Sequence, residues 1–102
     1  MTDIYRALAD PHRRRILQML SQHERTQSDL VAAFPISQPA IKKHIAILKE
    51  EELIEERRQG KFVFYRLNEK VYQYHFEKLK HEMELVLDDK LGRLKNYLEK
   101  GE

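Results

Sequence analysis

The chain has no cysteine and no tryptophan, and only three glycines and three prolines among its 102 residues. The absence of cysteine excludes disulfides, thiolate metal ligands and thiol-based redox switches. No apolar run is long enough to cross a bilayer, and the first ten residues lack the apolar stretch of a signal peptide. We therefore expect a cytoplasmic protein with no membrane partner.

The charged residues, 35% of the chain, are unevenly distributed. Residues 1–68 contain 12 Lys/Arg and 9 Asp/Glu, whereas residues 69–102 contain 7 and 8. A positive excess in one part of a small domain favours contact with a polyanion there. The length predicts a single domain, 1–102. The charge distribution alone favours only a body at 1–68 that faces a polyanion and a nearly neutral segment that faces a partner. From the motifs described below, we interpret these as a DNA-binding body, 1–68, and a long dimerisation helix, 69–98.

Capping residues and apolar spacing predict four helices in the body. Asp10-Pro11 is a typical helix start, and Thr26-Gln27-Ser28-Asp29 resembles a capping box with Asp in place of Glu. Pro35 ends the third helix, and Ser37 caps the fourth. The predicted helices cover residues 2–9, 11–22, 26–33 and 38–50, and the last two form a helix-turn-helix.

The fourth helix carries the main functional prediction. Its apolar stripe of Ile41, Ile45 and Leu48 is predicted to face the core, which leaves the other faces to other contacts. A helix in the DNA major groove uses its N-terminal turns, where Gln, Lys and Ala can contact adenine, guanine or phosphate, and thymine. The alternative, an ordinary solvated face, is disfavoured by the capped helix before it and the hairpin after it. The predicted DNA-binding residues of this helix are Ser37, Gln38, Ala40, Lys42 and Lys43.

Strand-forming residues at 54–57 and 62–67 predict a β-hairpin, with Gly60 supplying the left-handed backbone of its turn. Arg57, Arg58 and Lys61 lie at or near the tip, where cations can contact phosphates or the minor groove. The hairpin is therefore a predicted wing, with Arg58 and Lys61 as its DNA-binding residues. The alternative is that these charges protect an exposed strand edge from aggregation.

The final predicted helix is about 45 Å long, more than the body needs for its own core. Its apolar residues at 72, 76, 79, 83 and 86 are spaced by four and three, and those at 87, 91, 94 and 98 repeat this spacing. Such a seam favours a partner helix, and we expect Phe76, Leu79, Met83 and Val86 to lie in a dimer interface. The alternatives are a helix that folds back on its own domain or a frayed tail.

Two further groups are predicted to be structural. Three consecutive arginines span most of the circumference of a helix, so Arg13, Arg14 and Arg15 cannot all face one ligand. We expect them to pair with nearby carboxylates, with at most one reaching a DNA phosphate. His44 lies beside the apolar stripe, and we expect a packed, hydrogen-bonded histidine.

Three segments resemble the ArsR family of small winged-helix repressors. The segment from Leu8 to Leu17 resembles the family's Asp-Pro-x-Arg-Arg opening, Ser37 to Glu50 its recognition helix, and Leu53 to Leu67 its wing. The resemblance covers essentially the whole chain and is greatest to the metal-independent, autorepressor-like members. It implies a mainly α winged helix-turn-helix with five helices and a two-stranded wing.

The resemblance also implies a homodimer that binds double-stranded DNA at an inverted repeat. Its interface is built from the first and last helices, which adds Ile4 and Leu8 to the predicted dimerisation residues. Two departures stand out. Lys42 and Lys43 replace the Ser or Thr and the His that are frequent in the family, and Glu52 stands where Gly is usual, so the turn before Leu53 is expected to be strained.

Many members of this family sense metals, but their ligand patterns are absent here. Residues 28–32 contain no Cys-x-Cys, and His75 and His81 occur without the Asp of the family's zinc site. We therefore predict no metal and no cofactor.

The sequence also contains no Gly-rich phosphate loop and no Cys nucleophile, so we do not expect an enzyme. The sequence predicts a sequence-specific repressor with an unidentified inducer. The alternatives are a metal- or small-molecule-responsive repressor and a protein-interaction module that does not bind DNA.

Overall fold

The computed structural model of the chain describes the backbone of residues 3–100 and their side chains except at 93–96 and 99–100. The described elements, in chain order, are α1 (Ile4–Ala9), α2 (Pro11–Gln22), β1 (Arg25–Thr26), α3 (Gln27–Ala32), α4 (Gln38–Glu50), β2 (Ile54–Gln59), β3 (Phe62–Leu67) and α5 (Glu69–Lys100). Five helices and a hairpin are present in this part of the chain, as predicted. Thr2, the predicted start of the first helix, and the side chain of Leu94 lie outside the described residues.

Each described helix begins at a side chain that accepts a backbone N–H hydrogen bond. The caps are Asp3 for α1, Asp10 for α2, Thr26 for α3, Ser37 for α4 and Asn68 for α5. At α3 the exchange is reciprocal, because Asp29 accepts from the Thr26 N–H while Thr26 accepts from the Asp29 N–H, each at 3.0 Å. Each cap stabilises its helix by about 1 kcal/mol.

The hairpin is one part of a three-stranded antiparallel sheet with the order β1-β3-β2. Strand β1 was not predicted from the sequence. It consists of two residues, with Arg25 opposite Tyr65 and Thr26 opposite Phe64, and two residues are too few to show an alternating pattern.

Strands β2 and β3 pair from Ile54 opposite Leu67 to Gln59 opposite Phe62, which leaves Gly60 and Lys61 as the loop. Gly60 has a φ of 59°. A positive φ at the first position of a two-residue loop favours glycine, as in type II′ turns. The predicted role of Gly60 is therefore confirmed.

The hydrophobic core of the body joins the helices to the base of the hairpin. The predicted stripe of Ile41, Ile45 and Leu48 is 0%, 3% and 0% exposed, which confirms that this face of α4 is inside. Ile4 and Leu8, two predicted dimerisation residues, are half-buried against the same core. The buried core residues are Ala7, Ile16, Leu17, Met19, Leu20, Leu30, Ile41, Ile45, Leu48, Leu53, Ile54 and Tyr65.

Arg13 and Arg14 close the end of α1. Arg13 is only 9% exposed, and its guanidinium donates to the carbonyl oxygens of Ala7 at 3.0 Å and Arg6 at 2.7 Å. Arg14 donates to the carbonyl of Leu8 at 2.6 Å. The last carbonyls of a helix have no partner within it, so these arginines supply one. The prediction that they pair with carboxylates is wrong for both residues.

Helix α5 takes part in two compact units, residues 1–72 and residues 73–102. In the second unit the predicted seam is largely open to solvent, because Phe76, Met83 and Val86 are 53%, 63% and 72% exposed and Leu79 is half-buried. Within the described residues, no helix combines the length and the apolarity that a membrane span requires.

Candidate nucleic-acid interface

Helix α4 has a solvent-facing side opposite its buried stripe. With 3.6 residues per turn, Lys43 points away from Ile41 and Ile45, and Lys42 lies at the edge of the exposed side. Ala46 lies between the two lysines one turn later. Both lysines and Ala46 are exposed. The start of the helix adds Ser37 and Gln38, which are exposed, and Ala40, which is half-buried. The structure thus places all five predicted residues of this helix within its first two turns or at its cap.

The lysines of α4 differ in their electrostatic partners. Lys49 Nζ lies 3.0 Å from Glu56 Oε1, and the hydrogen bond from Lys49 lowers the pKa of the Glu56 carboxyl. By contrast, Lys42 and Lys43 form no ion pair with any residue in the part of the chain that the structure describes. Their charges are therefore available to an external anion.

His44 holds α4 from the protein side. Arg13 Nη1 lies 3.0 Å from His44 Nδ1, and because a guanidinium only donates, Nδ1 is the acceptor. Burial lowers the pKa of His44, Asp10 raises it, and Arg13 lowers it again, with a net downward shift. His44 is therefore a neutral, hydrogen-bonded side chain, only 14% exposed, as the sequence predicts.

The C-terminal end of α4 is fixed to α1. The backbone N–H of Asp3 donates a short hydrogen bond to the carboxylate of Glu51, a residue that is 2% exposed. Arg6 Nη1 lies 3.5 Å from Glu50 Oε2. With the contact from Arg13 to His44, these bonds set the orientation of α4 without using its solvent-facing side.

Helix α4 ends in a Schellman motif. The Glu52 N–H donates to the carbonyl of Lys49 at 2.9 Å, and the Leu53 N–H donates to the carbonyl of Leu48 at 3.1 Å. This motif needs a left-handed residue, normally glycine, directly after the cap. Here it is Glu52, with a φ of 58°. The expected strain before Leu53 is confirmed.

Two cations lie at the tip of the hairpin. The side chain of Arg58 is 74% exposed, and its Nε is 3.4 Å from Glu56 Oε2. Lys61 is exposed, with its Nζ 5.6 Å from the centre of the Phe62 ring. Exposed ion pairs and exposed cation–π contacts each contribute only up to about 1 kcal/mol, so both side chains can turn towards a phosphate.

Arg57 is engaged within the protein. Its guanidinium forms an ion pair with Glu24 at 2.5 Å and lies 4.4 Å from the centre of the Phe64 ring. The hydrogen bond from Arg57 lowers the pKa of Glu24. Arg57 therefore joins β2 to the segment before β1, which leaves Arg58 and Lys61 as the wing cations.

A groove of about 200 Å³ separates α3 from the start of α4. Its lining includes Gln27 and Ser28 of α3 and Gln38 of α4. The sequence assigns Gln27 and Ser28 only to a capping box. Because the first helix of a helix-turn-helix crosses the DNA backbone, their position at the start of α3 makes them additional candidates for phosphate contacts.

Comparison with known proteins agrees with this geometry. Residues 10–56 match the family described as bacterial regulatory protein, arsR family. The chain is 33% identical over 102 residues to the transcriptional repressor SdpR of Bacillus subtilis (strain 168), with 100% of this chain and 97% of that protein covered. It is also 42% identical over 66 residues to the arsenical resistance operon repressor of Escherichia coli (strain K12). That match covers 64% of this chain and 56% of that protein.

A solved structure extends the likeness to three dimensions. The crystal structure of a possible transcriptional regulator for arsenical resistance superposes with a TM-score of 0.72 at 33% identity, over 94% of this chain and 96% of that one. The predicted winged helix-turn-helix fold is therefore confirmed. The relatives named here are regulators of transcription and not enzymes.

Proposed function

The chain belongs to the ArsR family of bacterial regulatory proteins and is a DNA-binding transcriptional repressor, and we propose that it acts as a homodimer on an inverted-repeat operator. The observation that carries the proposal is the pair of exposed lysines on α4, Lys42 and Lys43, which have no ion-pair partner among the described residues. The repressor acts in the cytoplasm, where bacterial promoter DNA lies. It occupies the promoter DNA and thereby excludes RNA polymerase.

Each residue at the start of α4 receives a role from its chemistry. Gln38 can pair with adenine through two hydrogen bonds, Ala40 can contact a thymine methyl, and the lysines can reach guanine or phosphate. The Ser37 hydroxyl accepts from the Ala40 N–H at 3.3 Å, and its own hydrogen remains free to donate to a phosphate. Arg58 and Lys61 contact the adjoining backbone from the wing.

The homodimer follows from the open seam on α5. Phe76, Met83 and Val86 are each more than half exposed, and a soluble monomer rarely leaves so large an apolar stripe in water. A second copy supplies the matching stripe, together with its α1. The second α4 then lies about 34 Å from the first, which is one turn of B-DNA.

The DNA interface is tested with Lys43→Glu and operator fragments selected from genomic DNA. We expect the variant to bind at least about tenfold more weakly at physiological salt, since it loses a cation and adds repulsion. Lys70→Glu is the matched control, because it makes the same charge change at an exposed position in the first turn of α5. Fluorescence anisotropy measures the affinity, and circular dichroism checks the fold.

The salt dependence gives a second criterion. Lys43→Ala should reduce the slope of log K against log salt by about one, the value for one lost phosphate contact. Equal affinities for Lys43→Glu and Lys70→Glu, with both variants folded, would remove α4 from the DNA interface. Wild-type protein with no DNA affinity at low salt would favour an interaction module.

The dimer is tested by placing charge on the seam. Leu79→Asp combined with Met83→Asp should give monomers by analytical ultracentrifugation, and these monomers should bind the operator poorly. Tyr74→Asp combined with His81→Asp is the control, because helical spacing puts these two residues on the opposite side of α5. A stable dimer of the seam variant would refute the proposed interface.

A further inference from the structure

Three potential metal ligands meet beside the buried stripe of α4. Asp10 caps α2, His12 lies in the first turn of α2, and His44 lies in α4; one ligand atom from each lies within 4.8 Å of the others. Asp10 Oδ1 is 3.4 Å from His12 Nδ1 and 4.0 Å from His44 Nε2. We propose that Asp10, His12 and His44 form a binding site for one divalent transition-metal ion such as Zn²⁺.

The spacing is close to what a tetrahedral ion requires. Ligand atoms about 2.0–2.1 Å from zinc stand about 3.3 Å apart. The separation between Asp10 and His12 already has this value, and that between Asp10 and His44 must shorten by about 0.7 Å, which side-chain rotation can supply. Two imidazoles and a carboxylate form a nitrogen and oxygen set that suits zinc, cobalt or nickel, with water in the fourth position.

Neighbouring contacts hold these ligands in place before an ion arrives. The His12 ring stacks on the His44 ring with their centres 5.6 Å apart, and it forms a T-shaped contact with the Phe34 ring, again with the centres 5.6 Å apart. Asp10 Oδ1 also accepts the His12 backbone N–H at 2.7 Å. The side chains of His12, Asp10 and His44 are 37%, 31% and 14% exposed, so an ion can enter from solvent.

A competing contact comes from Arg13, which donates to His44 Nδ1. Because Nδ1 accepts this hydrogen bond, the ring proton of neutral His44 is on Nε2, the atom nearest Asp10. Coordination through Nε2 requires the proton to move to Nδ1, so the hydrogen bond from Arg13 breaks when the ion binds. Arg13 keeps its bonds to the carbonyls of Arg6 and Ala7, which means that one of its three contacts is exchanged for metal bonds.

The consequence for regulation rests on the proposed DNA-binding role of α4. A bound ion links α4 directly to the start of α2 and replaces the tie through Arg13. We therefore expect zinc to change operator affinity by about fivefold or more, the lower range of measured allosteric couplings.

The test titrates metal-free protein with Co²⁺, whose visible absorption reports tetrahedral coordination, and then with Zn²⁺ in competition. We expect one ion per chain. His12→Gln removes a ligand at a partly exposed position, and Asp10→Asn removes the carboxylate charge but keeps a good helix cap. Each should weaken binding by at least about tenfold, since even outer-shell changes have that effect. The control, His75→Gln with His81→Gln, removes the histidines of α5 and should bind the metal normally.

Equal metal affinity in the wild type and in folded His12→Gln and Asp10→Asn would overturn the proposed site, as would loss of binding in the α5 control. These titrations contain no DNA, so a failure of operator binding would count against the proposed function and not against the site. Zinc that binds at the predicted residues without changing operator affinity would overturn the regulatory consequence alone.

Discussion

Replacing Glu52 with glycine should stabilise the protein. Glu52 has a φ of 58°, in a region where an L-residue costs about 1–2 kcal/mol. Glycine removes this cost but adds roughly 0.5–1 kcal/mol of chain entropy in the unfolded state. The net gain is about 0.5–1 kcal/mol, which for a chain of this length raises Tm by about 2–8 °C.

Thermal and urea unfolding measure this gain at one fixed protein concentration, because the stability of the proposed dimer would depend on concentration. The change removes a carboxylate as well as a Cβ, and Glu52 lies at the negative end of the α4 dipole beside Glu50 and Glu51, where any acid is unfavourable. Glu52→Ala separates these effects, since it removes the charge but keeps the Cβ. We expect Glu52→Ala to gain clearly less than Glu52→Gly.

Gly60→Ala provides the reciprocal measurement. Gly60 has a φ of 59°, and a Cβ added there meets nothing within 4 Å, so the loss reflects backbone conformation alone. We expect Gly60→Ala to lower the free energy of unfolding by about 1 kcal/mol. If Glu52→Ala stabilises the protein as much as Glu52→Gly, charge and not backbone strain explains the effect, and the reasoning is refuted.

Four further substitutions probe other contacts. Arg13→Met leaves the carbonyls of Arg6 and Ala7 without their side-chain donor and should lower the free energy of unfolding by about 2–3 kcal/mol. Arg14→Met removes one exposed bond and should lower it by less than about 1 kcal/mol; equal losses in urea unfolding would contradict this. Asp29→Ala should cost about 0.5 kcal/mol at neutral pH. Hydrogen bonds from Thr26 lower the pKa of Asp29 below 3.8, so this contribution is present above that pH and disappears as the pH falls through the lower folded value; a pH-independent loss would exclude it. Burial and a nearby carboxylate raise the pKa of Tyr65 from 10.0 to about 12. The stability from its neutral phenol is therefore complete below pH 10 and lost as the pH rises towards 12, and Tyr65→Phe should abolish the phenolate absorbance that appears near pH 12.

Local signals made most of the fold predictable. A cap, a proline or a buried stripe acts within one or two helical turns, so α2, α4 and the hairpin could be located from nearby residues alone. Strand β1 could not, because Arg25 and Thr26 become a strand only when Tyr65 and Phe64 lie beside them. No pattern in residues 22–26 carries that information.

The candidate site divides in the same way. Helical spacing predicts that the lysines of α4 are exposed. It does not predict which of them forms an ion pair, because the partner, Glu56, lies in β2: Glu56 pairs with Lys49, whereas Lys42 and Lys43 have no such partner among the described residues. The metal-ligand cluster depends on contact between α2 and α4. His12 and His44 are far apart in the sequence, and neither spacing nor composition places their rings together.

In the proposed function, helix α4 uses one side for folding and another for DNA recognition. Ile41, Ile45 and Leu48 hold it to the core, so Ile45→Ala should lower the free energy of unfolding by about 2–5 kcal/mol. Alanine at Lys42 or Lys43, which the described fold does not use, should change it by less than about 0.5 kcal/mol. On the proposed DNA-binding role of the two lysines, we therefore expect substitutions there to change operator preference with little effect on stability. A large loss of stability in Lys43→Ala would show instead that this face of α4 belongs to the fold.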